Sequence, residues 1–106
     1  MNVIFHLNEL RRFDHCYANV KNLLKEDEVN EIHILMNGEP VTLAIVDQEP
    51  RIVELIELGI VVSVCQNALN ANDILTSELE DTVNVVPTGV FELMKRQEQG
   101  YSYIKP

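Results

Sequence analysis

The sequence predicts an α/β sandwich on a mostly parallel sheet, and three observations carry that reading. Short β-branched runs alternate with stretches of helical period, the pattern of repeated strand–helix–strand units. The run Ile60-Val61-Val62-Ser63-Val64 is an unbroken β-type segment, as in a strand covered on both faces. The composition, 46% hydrophobic and 24% charged over 106 residues, is that of one globular domain spanning residues 1–106. Right-handed crossovers then place helices on both sheet faces.

Val3 to Leu7 reads as the first strand. Asn8 to Arg12 is polar and loop-like. From Phe13 to about Glu26, apolar residues at Phe13, Tyr17, Val20 and Leu24 form one stripe on a helix. Glu31 to Met36 is a second strand, ended by the turn Asn37-Gly38. Val41 to Val46 fits either a buried helical turn or a strand. Pro50 suits the first turn of a helix with Ile52, Val53, Leu55, Ile56 and Leu58 on its apolar face and Gly59 at its C-terminal cap. The third strand, Ile60 to Val64, runs directly into Cys65. Gln66 to Asp73 reads as a short helix, and Thr76 to Glu80 as another helical turn. Val83 to Val86 is a fourth strand. Thr88 is the expected N-cap of a helix from Gly89 to Gln99, which Gly100 stops. Tyr101 to Ile104 is a last extended segment.

Eight Lys+Arg stand against seventeen Asp+Glu, a formal net charge of -9. Such a chain repels phosphate backbones and anionic membranes, so neither nucleic acid nor a membrane is expected as a partner. Between Arg51 and Lys95 there is no Lys or Arg, while seven acids occur. An anion site on this half must borrow cations or use N–H groups. Glu78, Glu80 and Asp81 read as solvated surface. The first ten residues lack the pattern of a signal peptide, and no apolar run approaches the ~20 residues of a membrane span. A cytoplasmic protein with reduced thiols is expected.

Parallel sheets bind ligands at the carboxyl ends of their strands, so the loops after Leu7, Met36, Val64 and Val86 matter most. Cys65 lies in the third of these. A thiol there meets the unsatisfied backbone N–H groups of a helix start, a setting in which cysteines act as nucleophiles. The competing reading makes Cys65 a small buried residue closing the sheet. His6, near the end of the first strand, can reach the same edge and pair with Cys65 as proton acceptor. A structural role is the simpler reading of both His6 and His33. Asn37-Gly38 and Pro87-Thr88-Gly89 form the other carboxyl-edge turns, with Thr88 and the N–H groups after it able to hold an anion. Cys16 and His15 do not make a dyad, because adjacent helical residues point about 100° apart. Cys16 reads as a core-edge cysteine beside an exposed His15. Three histidines and two cysteines without CxxC or HxxxH spacing predict no metal. There is no Gly-rich phosphate loop, no GxSxG and no dinucleotide fingerprint, so no cofactor is expected.

Two segments carry a resemblance. One is Val62 to Leu69, VSVCQNAL. The other is Val85 to Pro106, VVPTGVFELMKRQEQGYSYIKP. Together they resemble the DsrE/DsrF-like family of small stand-alone proteins, with a hydrophobic strand, a cysteine and an Asn-x-Leu helix. Val86-Pro87-Thr88-Gly89-Val90, Arg96-Gln97 and the ending Gly100 to Pro106 complete the match. The resemblance implies a three-layer α/β/α sandwich with a mostly parallel five-stranded sheet. It also implies a homo-oligomer, a trimer or hexamer. In sulfur-relay members a cysteine after this strand carries sulfur as a persulfide between partner proteins, and Cys65 is the matching position. The chain departs from those members after the cysteine, where Gln66 to Asp73 has no basic residue. The implied function is sulfur transfer between a donor and an acceptor protein, with Asn67, Thr88 and Gly89 donating hydrogen bonds to the bound sulfur and His6, Asn37 and Gly38 lining the same edge. That reading expects Cys65 exposed in a small cleft. The alternative is a non-enzymatic oligomeric binding or assembly module in which Cys65 only packs.

Overall fold

Strands β1 (Asn2–Leu7), β2 (Glu31–Met36), β3 (Val61–Cys65), β4 (Asn84–Val86) and β5 (Ser102–Ile104) form one sheet in the order β4-β3-β2-β1-β5. Every neighbouring pair is parallel. The structure, a computed structural model, describes residues Met1–Pro106. Four α-helices lie between the strands: α1 (Phe13–Leu23), α2 (Pro50–Glu57), α3 (Gln66–Ala71) and α4 (Gly89–Glu98). The first three connections each step outward by one strand, from β1 towards β4. The last one returns across the sheet to set β5 beside β1. A right-handed crossover that reverses direction must pass over the opposite face. Hence α1, α2 and α3 pack on one face, and α4 alone packs on the other.

The alternation of side chains divides the core accordingly. Val3, Phe5 and Leu7 of β1, Ile32, Ile34 and Met36 of β2, and Val62 and Val64 of β3 meet Phe13, Val20, Ile52, Leu55 and Leu69 in a cluster of 22 buried residues. The α4 face holds only four: Ile4, Leu35, Leu93 and Tyr101. At about 1.5–3 kcal/mol for each fully buried large apolar side chain, the first face supplies most of the hydrophobic stabilisation.

The element order matches the sequence reading, and the differences have local causes. The first helix ends at Leu23 rather than near Glu26, because Leu24 is solvent-exposed and Lys25-Glu26-Asp27-Glu28 offers no apolar face. The ambiguous Val41 to Val46 run is neither a full α-turn nor a strand. Pro40 opens a 3-10 helix over Glu39–Ala44, and Ile45 makes one isolated bridge to Leu79. Val41 and Ala44 are buried, and Val46 is exposed. Glu78 and Glu80 do more than face solvent, since their carboxylates accept hydrogen bonds from the backbone N–H groups of Leu75 and Asp47. Cys16 is fully buried rather than at the core edge, and burial pushes its thiol up to about 12. No helix is long and apolar enough to cross a membrane.

Candidate functional site at the carboxyl edge of the sheet

Register and alternation assemble the site. His6 pairs with Leu35 in the ladder, Leu35 with Ser63, and Cys65 with Val86. With Val3, Phe5 and Leu7 committed to the large core, His6 points to the α4 side. Leu35 lies on the same side, Asn37 follows just beyond β2, and Cys65, at the very end of β3, packs with the large core while its Cβ also borders Gly89 at the α4 start. Three strand ends thus bring His6, Asn37 and Cys65 to one edge. The first residue of α4, Gly89, comes down on them. A Cβ placed on Gly89 would lie 3.3 Å from Leu35 Cδ2, 3.4 Å from Asn37 Nδ2 and 3.4 Å from Cys65 Cβ. Glycine is therefore what lets α4 begin this close to Leu35, Asn37 and Cys65.

Cys65 is only 6% exposed. The expectation of a cysteine in an open cleft is corrected: Cys65 packs with the large core on one side and against the Gly89 start of α4 on the other. The two cavities of the fold lie elsewhere, between α1 and the β1–β5 edge, around Leu23 and Ile104. His6 does not pair with Cys65 either, because both ring nitrogens are taken. Its Nδ1 lies 2.6 Å from the Tyr103 hydroxyl, and its Nε2 lies 3.0 Å from Asn37 Oδ1. A carboxamide oxygen only accepts, so His6 Nε2 donates to Asn37. The two rings pack at 5.7 Å between centroids.

The other expected residues sit around this centre. Gly38 has φ +67°, and a side chain there would meet Asn8 O at 3.3 Å, so it turns the chain away after Asn37. Thr88 occupies the N-cap position of α4, but its hydroxyl makes no capping hydrogen bond. Asn67, the second residue of α3, is exposed and hydrogen-bonds to none of these groups. Tyr103 belongs to the family-like ending Gly100 to Pro106 and to the last extended segment, but nothing in the sequence points to its contact with His6, 97 residues away. Beneath the site, His33 and Ser63 form a buried pair at 2.8 Å, and His33 Nδ1 has no partner. Burial, reinforced by Arg96, pushes the His33 ring down to about 4 against the weaker pull of Glu92 and Glu31.

The family model described as the DsrE/DsrF-like family matches residues 16–106. The chain belongs to the DsrE/DsrF-like family. The fold agrees with solved structures. This DsrE/DsrF-like chain is similar to the protein of unknown function MTH1491 from Methanobacterium thermoautotrophicum, with 29% identity, a TM-score of 0.91, and 99% of this chain and 98% of that one covered. It shares its fold with the conserved protein of unknown function BT1422 from Bacteroides thetaiotaomicron, at 16% identity and a TM-score of 0.80, covering 99% of this chain and 94% of that one. The same holds for the YchN protein from E. coli, at 16% identity and a TM-score of 0.79, covering 100% and 99%. No curated protein matches the chain.

Proposed function

We propose that this DsrE/DsrF-like protein is a sulfur carrier that holds a persulfide on Cys65. The observation that carries the reading is the meeting of Cys65, Asn37 and Gly89 at the carboxyl edge. The Cys65 Cβ and the Asn37 amide nitrogen both lie 3.4 Å from the point where a Gly89 side chain would begin, so cysteine and amide meet at the start of α4. In the transfer, the Cys65 thiolate attacks the outer sulfur of a donor persulfide. A new S–S bond forms to Cys65, the donor's S–S bond breaks, and the donor leaves as its thiolate. An acceptor thiolate then attacks the outer sulfur, and Cys65 leaves as thiolate. Each step exchanges one S–S bond for another, so no oxidant or cofactor is consumed. The chemistry suits a reducing compartment such as the cytoplasm, with a donor and an acceptor protein as partners and no role for nucleic acid or membrane.

The protein works as a homo-oligomer, a trimer or hexamer, in this reading. The outer face of α4 supports it: Val90, Phe91 and Met94 are 60–62% exposed on one side of the helix, opposite the buried Gly89, Glu92 and Leu93. The second reading, a binding or assembly module in which Cys65 only packs, is favoured by one observation, the 6% exposure of that residue.

Intact-mass spectrometry separates the two. After exposure of native protein to a sulfane-sulfur donor, the carrier gains about 32 Da, one sulfur atom, which a reductant removes and Cys65→Ser abolishes. No gain on wild type, under conditions that load a free-thiol control, sinks the carrier reading.

A further inference from the structure

We propose that the groove between α1 and the β1–β5 edge is a docking site for an extended segment of another protein. The segment adds as a strand to the outer side of β5, packs an apolar side chain against Leu23 and Ile104, and carries a lysine or arginine towards Glu26. The proposal is independent of the sulfur-carrier reading and needs no reactivity at Cys65.

The groove follows from the sheet order. On the face covered by α1 to α3, strands β1, β2 and β3 give residues to the large core, and β5 gives none. Ile104 is in register with Phe5, so its side chain lies on that same face, and it is 39% exposed. Two cavities, of about 360 and 110 Å³, share Leu23 and Ile104 as walls and so run together. Asn19, Asn22 and Leu23, one stripe of α1, form the long wall. Val3 and Phe5 with Ser102 and Ile104 form the floor, and these are register pairs, so the groove runs along the strands. β5 is the last strand of the sheet, and all three of its residues are exposed. One side of its backbone is therefore an unpaired row of N–H and C=O groups beside an apolar trough. That combination suits strand addition: the edge supplies main-chain hydrogen bonds, and the trough receives alternate side chains. The opposite edge, β4, has no cavity beside it.

Charge selects the occupant. Glu26 is the one ionised side chain that lines the groove, and it makes no ion pair. It heads the run Glu26-Asp27-Glu28, with Lys25 beside it and the Met1 amino group donating to the Glu28 carbonyl at 2.6 Å. Lys21 is drawn away to Glu54. The amino end of the groove is thus acidic, while Lys105 follows β5 at the other end. With a formal net charge of -9, the whole chain also steers cationic segments towards itself and repels acidic ones. A second copy would bring another -9 to this edge, so a basic, β-prone segment of a different protein fits it better. β5 offers only three residues to pair with, so the docking is weak and exchanging.

The test titrates the full-length, 15N-labelled protein with the capped peptide Lys-Thr-Leu-Thr-Val-Thr, whose Lys, Leu and Val share one face of a strand. Amide shifts of Leu23, Glu26 and Ser102 to Ile104 should saturate together in a 1H–15N spectrum, while Val90, Phe91 and Met94 on the outer face of α4 stay still. Two N-methylated peptides show whether binding is by strand addition. One carries methyl groups on Leu and Val, the other on the first two threonines. Only one set of N–H groups can face β5, so one version should lose at least about tenfold in affinity and the other should bind within about threefold of the parent. Glu26→Gln, or Glu in place of the peptide's Lys, should weaken binding about threefold at low salt and less at high salt. Ile104→Lys should weaken it at least about tenfold. No saturable shift at millimolar peptide, shifts confined to the α4 face, or N-methylated versions that behave alike overturn the proposal. So does an affinity indifferent to both charge changes. If the β5 resonances move with protein concentration alone, a second copy occupies the edge and the proposal falls. If Ile104→Lys fails to fold, the peptide variants decide, since they leave the protein unchanged. A negative result here leaves persulfide loading of Cys65 as it stands.

Discussion

Replacing His33 with glutamine removes the one buried imidazole of the fold and should change how the protein responds to acid. His33 is fully buried, hydrogen-bonded to Ser63 through Nε2, and without a partner at Nδ1. Protonation would place a second N–H, and a positive charge, where nothing accepts them. Burial is the main reason the ring sits at about 4 instead of its ordinary 6.5, and nearby Arg96 adds to it. The native state thus binds this proton more weakly than the unfolded chain. Its contribution is fully present above pH 6.5, is lost as pH falls towards 4, and changes no further below that. The gap corresponds to about 3 kcal/mol, most of it expressed by about pH 4.5. Urea unfolding followed by far-UV circular dichroism at a series of pH values measures it. With a urea dependence of about 1–2 kcal/mol per molar, the wild-type midpoint should fall relative to His33→Gln by about 1–3 M between neutral pH and pH 4.5. If the two proteins lose stability in parallel over that window, His33 is not held neutral by burial. An imidazole resonance titrating near its ordinary value would refute the reasoning just as directly.

Three further outcomes follow from other parts of the fold. Gly89→Ala drives a methyl group to within 3.3–3.4 Å of Leu35, Asn37 and Cys65, which should lower stability by about 1 kcal/mol in thermal unfolding and slow alkylation of Cys65; an unchanged rate would show that space to be irrelevant. Cys16, fully buried with its thiol raised to about 12, should resist iodoacetamide in native protein and react only in denaturant, as peptide mapping will show. Arg51 lies 4.7 Å and 5.1 Å from the ring centres of Phe13 and Tyr17 while bridging Asp14 and Glu49, so Arg51→Ala should cost about 1 kcal/mol, a drop of about 5 °C in Tm that shrinks at high salt.

The strands and helices were largely legible because each writes its period locally. Glu31–Met36 is bounded by polar residues on one side and Asn37-Gly38 on the other, and the strand occupies those positions. Val41 to Val46 was not legible, since a short apolar run carries no period of its own and the proline before it decided the outcome. Cys65, Asn37 and Gly89 could be placed at one sheet edge from strand order alone. How they face each other could not. The burial of Cys65 depends on its packing into the large core and on the close approach of α4 at Gly89, contacts that no local pattern writes. The capture of His6 depends on Tyr103, a contact between the two ends of the chain that no local pattern announces.

The position of β5 also orders events in time. As a nascent chain emerges, β1 to β4 can pair one after another, each new strand adding to the same growing margin. The other margin of β1 waits until Ser102–Ile104 has been made, and through that interval its backbone groups are available to any passing strand. The same late arrival delivers Tyr103. The His6 ring therefore gains its second hydrogen-bond partner only once the last strand has docked, and until then the end of β1 is held on one side alone.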